Sequence, residues 1–476
     1  MTRNSMTRNS QRTPPPFRIV VAAALVATVL AALPAAADWP RWRGPEATGA
    51  SPTAEPPVRW SEGENVRFKV AIPGRGHASP IVHGDRLYLL TAVPADPAAA
   101  GESQEAAEEK RGWPPSVEPS RHRFVVLALS RDDGSVVWER TAVEKVPHET
   151  THHDGTWASA SPVTDGERLY AHFGSAGLYG YDLDGELLWK KDLGDMRTRH
   201  GFGEGASPAV HGDTLVVNWD HEGDSFLVAL DARTGEERWR VERDEVTSWS
   251  TPIVVEHGGR TQVIVAATGA SRGYDLETGE VIWSLGGMTV NTVPSPVHGD
   301  GMVYLTSGFR GNALQAVRLA AAEGKLDGTE AVAWSLDRDT PYVPSPLLYG
   351  GHLYFLKSNS GILTNADAGS GEIHYTERLD GVQNVYASPV AAAGRVYVVG
   401  RDGTTLVIRH GEKLEVLARN TLDDRFDASP ALAGSDLYLR GYHHLYALAE
   451  TGPGEGEESG EGEKEVAAEG AEGAAR

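Results

Sequence analysis

Ala229-Leu230-Asp231-Ala232-Arg233-Thr234-Gly235-Glu236-Glu237-Arg238-Trp239 is an apolar run, a Thr-Gly turn and a short polar strand ending in an indole. Glycine in such a turn supplies the positive φ that tight hairpins need. Upstream, Ala209 to His211, Thr214 to Trp219 and Ser225 to Leu230 are three more short β-runs separated by Gly-Asp turns, so Ser207 to Val241 reads as one four-stranded antiparallel unit. The unit repeats. Its opening signature, Ser/Thr-Pro before an apolar strand, recurs at Ser79, Ser161, Ser207, Thr251, Ser295, Ser345, Ser388 and Ser429; after a first interval of 82 the spacings are 46, 44, 44, 50, 43 and 41 residues. A period in the forties is the length of a propeller blade.

Eight signatures predict an all-β, eight-bladed β-propeller with almost no helix, since no comparable segment carries a 3.6-residue apolar period. The last unit supplies only three strands before Leu448, and Val66 to Ala71 is a lone β-run ahead of the first. Pairing the two closes the ring and removes exposed edges. Fourth strands carry Trp138, Trp189, Trp239, Trp283, Trp334 and Tyr375, the expected wedges between neighbouring blades.

The ends read differently. Residues 1–37 hold Arg8, Arg12 and Arg18, an apolar run from Ile19 to Leu33 and Ala35-Ala36-Ala37, the pattern of a cleavable signal peptide too short to span a bilayer. The propeller is expected over 38–450, with an acidic loop insertion at about 91–122, and 451–476 as an acidic tail without aromatic residues. Export to the periplasm or beyond follows as the expectation, with no transmembrane segment left after cleavage. A net charge of -22 argues against nucleic acid. The absence of cysteine excludes a lipid-anchored Cys, disulfides, Cys-ligated zinc and a thiol nucleophile.

Together with Tyr274-Asp275-Leu276-Glu277-Thr278-Gly279-Glu280-Val281-Ile282-Trp283, the quoted stretch resembles the tryptophan-docking repeat of the PQQ-like (pyrroloquinoline quinone repeat) propellers, and the likeness extends over Trp60 to Leu448. Trp39-Pro40-Arg41-Trp42-Arg43-Gly44-Pro45 is similar to the opening of many exported bacterial members. The resemblance implies two kinds of role. Quinoprotein dehydrogenases hold pyrroloquinoline quinone and calcium on the axis, whereas the propeller lipoprotein of the outer-membrane β-barrel assembly machinery does no chemistry. Three features lean away from the enzymes: no pair of adjacent cysteines, compact blades, and no residue-by-residue match to their Glu, Asn and Asp calcium donors. Lipoprotein status is not matched either, for want of the Cys. The expectation is a non-catalytic exported scaffold that binds an envelope protein or a small ligand, without cofactor. The alternative is a quinone- and calcium-dependent dehydrogenase.

Because the first strand of each blade lines the axis, the residues before each Ser/Thr-Pro should crowd one mouth of the channel. They include His77, Trp157, Phe202, Trp249, Val293, Tyr342, Tyr386 and Phe426, with Arg75, His200, Glu204, Asn291, Asn384, Arg425 and Asp427 beside them. Apolar faces with a few convergent polar groups make a binding site, and aromatics that merely plug the channel would look the same in sequence. His148, His152 and His153 form the weak candidate for a metal, completed by His200 or His77. Gly269-Ala270-Ser271-Arg272-Gly273 imitates a nucleophile elbow but falls on a hairpin, and Gly201-Phe202-Gly203-Glu204-Gly205 lacks the helix that a dinucleotide loop opens.

Overall fold

The computed structural model describes residues 1–2, 38–96 and 116–450. The acidic tail, the body of the expected signal segment and positions 97–115 of the expected insertion lie outside the described residues. Eight antiparallel sheets of four strands follow the eight Ser/Thr-Pro signatures, and blades are numbered in that order. Blade three comprises Ala209–His211, Thr214–Trp219, Ser225–Asp231 and Glu237–Arg243. Its second strand is buried throughout, because a neighbouring blade covers each face, while its outermost strand alternates. Strand Val66–Ala71 pairs antiparallel with His444–Leu448, so blade eight combines one N-terminal with three C-terminal strands. Helix is limited, among the described residues, to three single 3-10 turns, and no helix is long and apolar enough to cross a membrane.

The repeated indoles dock in register. Trp138, Trp189, Trp239 and Trp334 each donate Nε1–H to a carbonyl of the next blade, at Leu183, Ala232, Leu276 and Ala368, over 2.9 to 3.0 Å. Each ring lies over the turn glycine of that blade: a Cβ on Gly185, Gly235, Gly279 or Gly371 would fall within 2.8 Å of it. Trp283 departs from this pattern. Blade five lengthens the matching turn into Leu319–Ala321 and Gly324–Lys325, which adds a parallel edge to blade four, and Trp283 bonds instead to Gln262 Oε1 of its own blade at 2.8 Å. Tyr375 packs in the same row but leaves its hydroxyl without a partner. A second aromatic row stands behind the first: Tyr88, Tyr170, Tyr304, Tyr354, Tyr397 and Tyr438, each third in its second strand.

The signature itself builds the axis. The backbone N–H of Ser79 donates to Ser161 Oγ, Ser161 to Ser207, Ser207 to Thr251, Thr251 to Ser295, Ser295 to Ser345, Ser345 to Ser388 and Ser388 to Ser429, all at 2.8 to 3.0 Å. Proline follows each of these residues at the start of an innermost edge strand, where a backbone N–H would have no strand to meet. The hydroxyls thus form a hydrogen-bonded belt from blade to blade.

Residues 38–55 run along those inner edges. Trp39 exchanges both backbone bonds with Val82, Ser51 donates its N–H to Ala391, and Leu348 donates to Thr48. Arg43 is 2% exposed and donates to the carbonyls of Pro389 at 2.6 Å, Thr48 at 3.1 Å and Pro346. Burial alone lowers its guanidinium to about 9. Trp42 lines both the cavity at the mouth and a second one of about 350 Å³ on the far side, and so stands between them. The tryptophan-rich opening of the chain is therefore the element that fills the axis.

Candidate functional site: the axial mouth

In each blade the chain turns from second to third strand on the same face as the loop before Ser/Thr-Pro, so two loop sets surround the mouth. A cavity of about 280 Å³ opens there. His77, Glu204, Trp249, Tyr342, Tyr386 and Asp427 line it together with Phe202 and Val293, above the hydroxyls of the belt. Trp157 is displaced sideways: its ring meets His122 at 4.7 Å and lines an adjoining cavity of about 40 Å³.

Other expected residues stand elsewhere. Asn291 is 2% exposed with φ of 57°, on the first loop behind the lining, so its side chain is enclosed rather than presented. Asn384 is exposed and contributes its carbonyl, which accepts from the Arg401 N–H at 2.9 Å. His200, also at positive φ, lies against Phe202 at 5.3 Å. Phe426 turns into the core against Tyr446.

A charged cluster forms one wall. The Arg401 fork binds Asp427 through Nε at 2.5 Å and Nη2 at 2.8 Å, and Nη2 also reaches Asp154 at 2.6 Å. Arg425 donates to Asp154 at 2.8 Å, and Tyr442 to Asp427 at 2.6 Å. Guanidinium groups stack on the rings: Arg401 lies 3.9 Å over Tyr386, while Arg75 and Arg425 lie 4.9 and 4.7 Å from the Tyr442 centroid. Burial works against the Arg401 charge, and Asp427 and Asp154 more than restore it. Arg440 sits behind, donating to the Leu90 and Ala78 carbonyls, and burial lowers it only to about 9, so it remains cationic near neutral pH. His77 is forced the other way: burial first, then Arg75, Arg440 and Arg401, push its imidazole well below its ordinary range. Neutral His77 Nε2 and Arg75 Nε are both buried without a hydrogen-bond partner. Asp424 is engaged by the backbone, accepting the N–H groups of Arg425, Tyr442 and His444.

Sequence reasoning did not place Arg401, Tyr442, Arg440, Trp42 or Asp154 at this mouth. Arg401 and Tyr442 occupy second-to-third-strand turns, Gly400-Arg401-Asp402-Gly403 and Gly441-Tyr442. Those turns recur once per repeat, so their alignment carries the signal that points to Arg401 and Tyr442.

The histidines separate into two groups. His152 and His153 stack at 4.4 Å beside Asp154, whose carboxylate is already claimed by Arg401, Arg425 and the Tyr386 hydroxyl at 3.3 Å. The linker that carries them is held by a short ribbon, Ser116–Val117 with Thr151–His152. His148 lies instead with Glu149 and Glu204, and neither His200 nor His77 completes either group. Burial pushes Glu204 up to about 7, against two bonds that it accepts from Ser175. Ser271, the elbow-like serine, is fully buried at the start of a strand and accepts the Ala267 N–H, as a hairpin residue does.

The family model described as outer membrane protein assembly factor BamB, a PQQ-repeat model, matches residues 58–199, 117–240 and 223–452. The chain is similar in structure to BamB from Moraxella catarrhalis, with a TM-score of 0.52 at 14% identity over 69% of this chain and 93% of that one. It is similar also to quinohemoprotein alcohol dehydrogenase from Comamonas testosteroni, with a TM-score of 0.57 at 11% identity over 89% and 82%. At such identities these likenesses speak to the fold. Methanol dehydrogenase [cytochrome c] subunit 1 of Methylobacterium organophilum is 28% identical over 155 residues, which cover 28% of this chain and 23% of that protein.

Proposed function

The chain belongs to the PQQ-repeat propeller family, and on that premise we propose that it is an exported, non-catalytic binding propeller whose axial mouth captures an anionic group of an envelope protein or small ligand. One observation carries the reading: on a chain of net charge -22, Arg401 and Arg425 bind Asp154 and Asp427 of the cavity lining, and Arg75 stacks with Arg425 on Tyr442, so three guanidinium groups gather beside the mouth of the axis. Guanidinium forks held flat on tyrosine rings bind carboxylate or phosphate at low entropic cost, because the fork is oriented beforehand. A concave, partly aromatic cavity above a polar belt suits a small anionic head group or the end of a peptide.

Dehydrogenase chemistry is the competing reading, favoured by the stretch shared with methanol dehydrogenase. A calcium ion beside a quinone needs several free oxygen donors. Of the acidic groups that line the mouth, Asp154 and Asp427 are already held by guanidinium groups, which leaves Glu204 alone, short of the several donors that calcium takes. Reconstitution of the purified chain with pyrroloquinoline quinone and Ca²⁺ is expected to give no alcohol- or sugar-dependent dye reduction. Reduction that requires both additives would reverse the ranking of the two readings.

A further inference from the structure

The smaller cavity, of about 40 Å³, adjoins the axial one and shares Glu204 and Trp249 with it. His148, Glu149 and Glu204 line it, and each offers a ligand atom within 4.8 Å of the others. They come from two loops: the linker leaving blade one and the glycine-rich stretch before Ser207.

Each of the three is oriented from behind. The His148 ring meets the Met196 carbonyl through Nε2 at 2.5 Å; a carbonyl only accepts, so Nε2 carries the proton and Nδ1, 3.9 Å from Asp195 Oδ1, keeps a lone pair. Glu149 accepts the N–H of Thr198 at 3.2 Å and its hydroxyl at 2.5 Å, and Glu204 accepts the N–H of Ser175 at 2.6 Å and its hydroxyl at 2.5 Å. A ring N–H given to a carbonyl and carboxylates steadied by hydroxyls are the outer partners that metal ligands usually have.

An independent observation lies on the same wall. His172 is 2% exposed and its Nδ1 is 3.3 Å from the Ala206 carbonyl, so by the same reasoning Nε2 is a bare acceptor; it is buried and has no partner. A buried, unpartnered acceptor on the wall of this cavity is a place for a proton donor that the neighbouring side chains do not supply. A water bound to a cation would be one.

We propose that His148, Glu149 and Glu204 bind one divalent transition-metal ion of the zinc class, whose fourth position holds a water facing His172. One imidazole and two carboxylates make the mixed nitrogen and oxygen set that such ions take, with three protein ligands and one open position. Calcium prefers six or more oxygens. This site does not depend on anion capture at the arginines.

The test is titration of the metal-stripped full chain with Zn²⁺, and separately with Ca²⁺, by calorimetry, with the melting temperature of each metal-free variant measured alongside. The wild-type chain should take one equivalent of Zn²⁺, and His148→Ala and Glu204→Gln should weaken it by about tenfold or more. His153→Ala, in the other histidine group, should bind like wild type. His148 sits on a partly open linker, so His148→Ala decides the matter if Glu204→Gln fails to fold. No stoichiometric Zn²⁺ binding, binding unchanged by His148→Ala, binding lost in His153→Ala, or a preference for Ca²⁺ would each overturn the assignment.

Discussion

Asp220→Asn is expected to destabilise the chain by about 3–5 kcal/mol, the range for removing one partner of a buried ion pair. Asp220 and Arg243 are enclosed between blades three and four, with side chains 0% exposed. The Arg243 fork donates to both Asp220 oxygens, at 2.7 and 3.0 Å, and to the Tyr274 hydroxyl, while Ser248 Oγ donates to Asp220 at 2.8 Å. Burial opposes the Arg243 charge, and Asp220, followed by Tyr274, holds the guanidinium above its ordinary value. An amide in place of the carboxylate keeps the volume, removes the compensating charge and turns one donor group toward another. Chemical denaturation should show the midpoint fall with little change in slope. A midpoint unmoved would mean that the pair is hydrated in solution.

The second large effect concerns the wedges. Trp189→Ala should cost about 3–5 kcal/mol, as deletion of a buried indole does. Trp189 is 8% exposed, lies 6.0 Å from the Tyr170 ring, donates to the Ala232 carbonyl and covers Gly235 so closely that an added Cβ would stand 2.6 Å away. Every one of these contacts except the first-named ring joins blade two to blade three, so the loss falls on the seam and not on either sheet alone. Trp283→Ala makes an instructive comparison, because its Nε1–H stays within its own blade. Urea unfolding of the two variants measures both, and a Trp189→Ala midpoint equal to wild type would contradict the wedge assignment.

The ring was legible in sequence because its determinants are local and repeated. Ser/Thr-Pro, the hairpin glycines and the fourth-strand aromatics recur at blade spacing, and the three-strand final unit implied its missing partner. The strand bounds of blade three differ from expectation by one or two residues, whereas in blade one Arg86–Pro94 and His122–Ser130 extend into the segment read as insertion. The tyrosine row and the hydroxyl belt were also periodic in the sequence. Their partners were not: which hydroxyl meets which N–H depends on the neighbouring blade.

The mouth was less legible, for a physical reason. Asp154 meets Arg401 and Arg425 across 247 and 271 residues of chain, and ring closure alone brings them together. The loop rule placed His77, Tyr386 and Asp427 on the lining but could not tell Asn291, enclosed at positive φ, or Phe426, turned to the core, from residues that face the cavity. Nor could it show that Trp39 to Glu55, outside every repeat, fills the axis and leaves the aromatics of the mouth free to line a cavity.

Capture at the arginines is tested most directly by immobilising the purified chain and comparing what the wild type, Arg425→Ala and Arg240→Ala retain from an envelope extract at low salt. Arg425 is 37% exposed at the rim, and Asp154 keeps Arg401 when it is removed, so the fold should melt as before; Arg240 is an outer-strand control paired with Glu237. The expected result is a species retained by wild type and Arg240→Ala and lost by Arg425→Ala at unchanged melting temperature. Equal retention by all three chains, or none by the wild type, would contradict anion capture at the mouth.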